Sequence, residues 1–77
     1  MQVNIIIFGQ LTDITGTGHL MLTGVTDTNT LVAELNRQYP GLADARYMLA
    51  VDKKVVTENV VINEHNTIAL MPPFSGG

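Results

Sequence analysis

The chain has 77 residues, no cysteine, no tryptophan and a formal charge of −3, with seven acidic residues against four basic ones (Arg37, Arg46, Lys53, Lys54). That length suits one small domain with a modest core, which leaves little room for a self-contained catalytic pocket of roughly 300–1,000 Å³. The hydrophobic share of 45% excludes a disordered chain, the missing cysteine excludes disulfides and thiol chemistry, and four scattered cations exclude a nucleic-acid partner.

Residues 2–8 predict a strand. Val3, Ile5 and Ile7 alternate, and the run becomes continuous from Ile5 to Phe8, which predicts burial on both faces and a central place in the sheet. This run is far short of the ~20 apolar residues that span a bilayer, so no membrane is expected. No basic, apolar and small-residue signal precedes it, so the expected location is cytoplasmic. Residues 9–18, punctuated by Gly16 and Gly18, read as a connection with room for one helical turn at residues 11–14. Residues 19–23 predict a second strand, ended by Gly24 and antiparallel to the first.

Thr26, Asp27, Thr28 and Thr30 are candidate helix caps. Leu31, Leu35, Tyr39 and Leu42 then recur at helical spacing with Val32 alongside, and Pro40-Gly41 stops the helix. Residues 48–51 predict a short strand, Asp52-Lys53-Lys54 a charged turn, and residues 55–56 and 60–62 short extended pieces. After a turn at residues 64–66, residues 67–71 form the last strand, ended by Pro72-Pro73, which cannot donate to a ladder.

One helix covering one face of a mixed sheet of four to five strands makes a two-layer α+β domain. With the first and last strands side by side, the pattern is that of the β-grasp, or ubiquitin-like, architecture. The chain divides into a β-grasp domain at residues 1–71 and an extended tail at residues 72–77.

The tail, Met71-Pro72-Pro73-Phe74-Ser75-Gly76-Gly77, carries the chemistry. Pro72 and Pro73 stiffen it in an extended conformation and lower the ordering cost when a partner holds it. Gly76 and Gly77 lack Cβ atoms, so their backbone can thread a channel too narrow for other residues. A carboxylate on Gly77 is a poor electrophile, but coupling to AMP makes a mixed anhydride that sulfide or a persulfide can attack. A frayed terminus is the competing reading of such an ending. Phe74 lies beyond the last strand, where an aromatic serves as an interface anchor. Ser75 has no neighbouring base and reads as a permissive linker. His19 and His65 have no metal-ligand spacing around them, and Gly16-Thr17-Gly18 lacks the helix that a phosphate loop needs.

These residues resemble the MoaD/ThiS sulfur-carrier family along the whole chain. Residues 70–77 resemble its F-x-P-P-V-S/T/A-G-G ending, and the double proline is most similar to the branch that forms the small subunit of molybdopterin synthase. Ile5-Ile6-Ile7-Phe8-Gly9-Gln10-Leu11 resembles the family's opening strand and F-A-Q-L turn. Leu49-Ala50-Val51-Asp52 resembles its A-V-N strand.

The resemblance implies a non-catalytic small subunit. An E1-like adenylating enzyme activates Gly77 with ATP, and a sulfur-donating enzyme converts it to a thiocarboxylate. The tail then enters the large subunit of molybdopterin synthase, in a heterotetramer, to give sulfur to cyclic pyranopterin monophosphate. Gly76 and Ser75 thread the tail, while Phe74, Pro73, Pro72, Met71, Phe8 and Leu11 are the candidates to bind the partner, Phe8 and Met71 reading equally as core or half-buried sheet residues. The chain itself binds no cofactor and no metal.

Three positions depart from the family's pattern. Thr12 stands where a basic residue follows the Gln-Leu turn, Asp52 replaces Asn, and His65-Asn66 replaces Gly-Asp at a turn expected to need positive φ. Other readings of the same tail are a carrier for thiazole or cysteine synthesis, a modifier joined to lysines through Gly77, and a ubiquitin-like module with an inert terminus.

Overall fold

The computed structural model describes residues 2–73. In chain order the elements are β1 (Gln2–Ile7), α1 (Thr12–Thr15), β2 (His19–Thr23), α2 (Thr28–Gln38), β3 (Met48–Val51), β4 (Lys54–Val56) and β5 (Thr67–Met71). A 3₁₀ turn, Gly9–Leu11, precedes α1, and another, Pro40–Asp44, follows α2.

The strands form one mixed sheet in the order β2-β1-β5-β3-β4. β1 and β5 pair in parallel, with Ile5 opposite Ile68 and Ile7 opposite Leu70, and the other neighbours are antiparallel. The expected β-grasp is therefore present, with the first and last strands adjacent. The centre of the sheet is β5, not β1. Nor is β1 buried on both faces: Val3, Ile5 and Ile7 are buried, Gln2 and Asn4 are exposed, and Ile6 is half-buried. The helices cover only one face, so the continuous run from Ile5 to Phe8 divides between core and open face. Leu22, Leu31, Leu35, Leu49, Ile68 and Leu70 join the β1 residues in one core.

Of the four candidate caps, Asp27 holds the N-terminus of α2. Its Oδ1 accepts the Thr30 N–H at 2.8 Å, while the Asp27 N–H donates to Thr30 Oγ1 at 3.2 Å, a reciprocal capping box. The helix ends at Gln38, but Pro40 starts a 3₁₀ segment that carries Leu42 into the core. Residues 60–62 form no strand. The Asp27–Val61 bridge ties them to the helix start, with the Thr28 N–H donating to Val60 O and the Ile62 N–H to Thr26 O, both at 2.9 Å.

Positive φ is found at Asp52 (51°) and Lys53 (72°), in the β3–β4 turn, and not at His65 or Asn66. The later turn closes through side chains instead: Asn66 Oδ1 accepts the Asn63 N–H, and Asn63 Oδ1 accepts the His65 N–H, each at 2.9 Å. Among the described residues no helix is long and apolar enough to cross a membrane.

Candidate functional site

Parallel pairing sends β1 and β5 out of the sheet at the same edge, so Phe8 and Gly9 stand beside Met71 and Pro72. The Phe8 N–H donates to Leu70 O at 2.9 Å, extending the ladder by one bond. Gly9 then turns at φ 61°, and Thr12 Oγ1 donates to its carbonyl at 2.8 Å. A Cβ on Gly9 would stand 2.8 Å from Pro72 Cγ, so the proline ring occupies space that any other residue at position 9 would fill. The first residue of the tail is thus held by its own ring and by this close approach.

The face of the sheet turned away from α2 is open. Cross-strand pairing sets His19, Ile6, Ala69, Ala50 and Val55 in one row across all five strands. The two alanines make the middle of the row low, and a groove of about 320 Å³ lies over them. Phe8 and Met71 line its end nearest the tail, and Lys53 and Thr67 line the other end. Phe8 is 47% exposed and Val55 48%, while Met71 is half-buried. Pro73 is exposed and lines a second groove, of about 680 Å³, between α2 and the β3–β4 hairpin. Met71 and Pro73, on either side of Pro72, therefore line one groove each.

Of the residues assigned to partner binding, Phe8, Met71, Pro72 and Pro73 are brought together. Leu11 is not available to a partner: it is 2% exposed and packs in the core, because the 3₁₀ turn after Gly9 points it inward. Phe74, Ser75, Gly76 and Gly77 lie outside the described residues. Ile6, Ala50 and Ala69, which form the groove floor, were not singled out from the sequence. The signal available was the period-two placement of small residues opposite the core positions of β3 and β5.

Among the described residues, Lys53 is the one charged residue lining the sheet-face groove. On the helix side, Glu34, Arg37 and Asp27 are engaged in local hydrogen bonds. Arg37 and Gln38 hydrogen-bond Glu34, and these contacts hold its carboxyl down at about 2. Hydrogen bonds from Thr30, and then from Asn59, keep the Asp27 carboxyl below its usual range. Among the described residues no cluster of His, Asp and Glu could hold a metal ion. What the described residues offer is an open apolar face leading to Pro72 and Pro73.

Residues 5–77 match the ThiS family. The chain is 27% identical over 82 aligned positions to the molybdopterin synthase sulfur carrier subunit of Arabidopsis thaliana, covering 100% of this chain and 84% of that protein. A Pyrococcus furiosus protein described as molybdopterin converting factor, subunit 1, superposes with a TM-score of 0.82 at 15% identity, covering 95% of this chain and 98% of that one. A chain from the complex of subunits 1 and 2 of molybdopterin-converting factor from Helicobacter pylori superposes with a TM-score of 0.76 at 22% identity, each chain being covered in full, 100%. At these identities the structural likenesses establish the fold.

Proposed function

The chain belongs to the ThiS family, and from that premise we propose that it is the sulfur-carrying small subunit of a molybdopterin synthase, acting in molybdenum cofactor biosynthesis. The observation that carries this reading is the root of the tail: Pro72 seated against Gly9, at the end of an open apolar face. The similarity to an Arabidopsis sulfur carrier subunit supports the pathway. The H. pylori complex, in which a likeness of this fold is paired with a second subunit, supports a large-subunit partner.

In this scheme the Gly77 carboxylate attacks the α-phosphorus of ATP on an E1-like enzyme, and pyrophosphate leaves. Sulfide delivered by a donor enzyme adds to the acyl carbon and AMP departs, leaving a thiocarboxylate. In the large subunit the thiocarboxylate sulfur attacks a side-chain carbon of cyclic pyranopterin monophosphate, and the oxygen substituent on that carbon departs, as water or as the phosphate ester oxygen. Water then cleaves the acyl–sulfur bond and returns the carboxylate. Two rounds supply the two sulfurs of the dithiolene. The chain binds no cofactor: ATP and the sulfur source belong to the activating partners, and the pterin to the large subunit. Phe74 anchors the tail base, while Ser75 and Gly76 thread it.

Intact-mass analysis after incubation with an E1-like enzyme, ATP and sulfide tests the scheme. Replacement of one oxygen by sulfur at Gly77 is the expected result, and deletion of Gly77 should abolish it without unfolding the domain. An unchanged mass would overturn the carrier reading, and lysine-linked conjugates would replace it with a protein modifier.

A further inference from the structure

Apolar contact is non-directional: it holds two surfaces together without fixing how one is turned on the other. A carrier whose tail must enter a partner's pocket needs that angle fixed. The floor of the open groove (Ile6, Ala50, Ala69) supplies no polar contact that could fix it.

Two observations single out Lys53. Among the described residues it is the one cation lining the groove, at the end away from Phe8 and Met71. Its backbone stands at φ 72°, in the left-handed region, at the second position of a two-residue hairpin turn where glycine is the favoured residue. Asp52, the other residue of that turn, has a side chain the fold uses: its carboxylate accepts from Asn66 Nδ2 at 2.6 Å and from the Thr67 N–H at 2.9 Å. Among the described residues the side chains of Lys53, Lys54 and Arg46 make no hydrogen bond or ion pair, whereas Arg37 is committed to Glu34, and of the three only Lys53 lines this groove. A lysine therefore stands where folding alone favours glycine, with its side chain lining one end of an apolar groove.

We infer that Lys53 is a specificity-determining contact for the large synthase subunit. It pairs with an Asp or Glu carboxylate that the subunit presents beside the apolar side chain seated over Ala50 and Ala69. This deepens the function proposed above and rests on it. The alanine floor, the ammonium and the tail root at Pro72 are three separated points, enough to fix the carrier's orientation. An apolar group covering the floor also strips water from the nearby ammonium, which strengthens the pair with a matching carboxylate. A surface without that carboxylate would leave the ammonium unpaired and is disfavoured.

The test measures association of the full chain with the large subunit from the same genome, at low and high salt, for the wild type and for Lys53→Gly, Lys53→Arg and Lys53→Glu. Lys53→Gly should raise the thermal midpoint, because glycine accepts this φ, yet associate about threefold to tenfold more slowly at low salt. The deficit should vanish at high salt. Lys53→Arg should stay near the wild type, and Lys53→Glu should be the slowest. Wild-type association by Lys53→Gly at low salt, or an equal loss in Lys53→Arg, would overturn the inference. So would normal association combined with slower thiocarboxylate formation by the E1-like enzyme, since the cation would then read the activating enzyme. A wild-type chain that fails to bind the large subunit at all would overturn the proposed function itself, and this inference with it.

Discussion

Asp52 and Thr67 bond to each other twice: the Asp52 N–H donates to Thr67 O at 2.8 Å, and the Thr67 N–H donates to Asp52 Oδ1 at 2.9 Å. The pair ties the tip of the β3–β4 hairpin to the first residue of the central strand, and so sets where the far end of the groove lies. Asp52→Ala removes the side-chain acceptor and places alanine at φ 51°, where Asp and Asn are better tolerated. The expected cost is about 1–2 kcal/mol in chemical denaturation. Asp52→Asn should cost less, because it keeps both an acceptor and the tolerance for positive φ. Equal losses in the two variants would show that the acceptor contributes nothing.

Acid should weaken the fold through Glu34 and Asp27. Both carboxyls sit below their ordinary values, Glu34 at about 2 against 4.5 and Asp27 lowered from 3.8. A depressed pKa means that the folded state favours the charged form. The stabilisation is therefore complete above the unfolded value and is lost as pH falls through the folded one. Stability should hold from neutrality to about pH 5 and then decline toward about pH 2. Both groups are partly exposed and therefore screened, so the decline is shallow. Denaturation midpoints across that range should fall less steeply in Glu34→Gln and in Asp27→Asn than in the wild type. An unchanged acid limb in both variants would assign it to other groups.

The order of elements was legible because each carries a local signal. Asp27 with Thr30 marks the helix start, Leu31 and Leu35 mark its buried stripe, and Pro72-Pro73 ends the last strand. The side of the sheet left open was not legible. Ile5, Ile6, Ile7 and Phe8 form an unbroken apolar run, and alternation within such a run is hidden until one face is covered. Phe8 and Leu11, neighbours in the stretch that resembles the family's opening strand and turn, separate in the structure: one is exposed and the other packs in the core. Nor could the left-handed turn be placed, because Asp52-Lys53 has no glycine to mark it and Asn63 closes the later turn through its side chain.

Gly9→Ala should destabilise the domain by about 2 kcal/mol, combining a left-handed φ with a contact that a proline ring cannot easily yield. The two contributions are separable. In a Pro72→Ala background the ring atoms are gone and only the φ cost remains, so the same substitution should cost about 1 kcal/mol. A double-mutant cycle by chemical denaturation measures the difference. Zero coupling would mean that Pro72 moves away freely and that Gly9 does not seat it.

Phe8 and Leu11 should respond to truncation in opposite ways. Phe8 is 47% exposed at the tail end of the groove, so Phe8→Ala removes few core contacts and should change stability by less than about 1 kcal/mol. An exposed aromatic beside the tail root has the character of an interface anchor, so affinity for the large subunit should fall about tenfold. Leu11 is 2% exposed, and Leu11→Ala leaves a cavity expected to cost about 2–4 kcal/mol, much of the stability available to a domain of this size. Below its lowered melting temperature, Leu11→Ala should bind nearly as the wild type does, since its side chain offers a partner no surface. Thermal denaturation and calorimetric titration on the same two variants decide the matter. Weak binding by folded Leu11→Ala together with unchanged binding by Phe8→Ala would move the docking surface off the sheet face and onto the turn after Gly9.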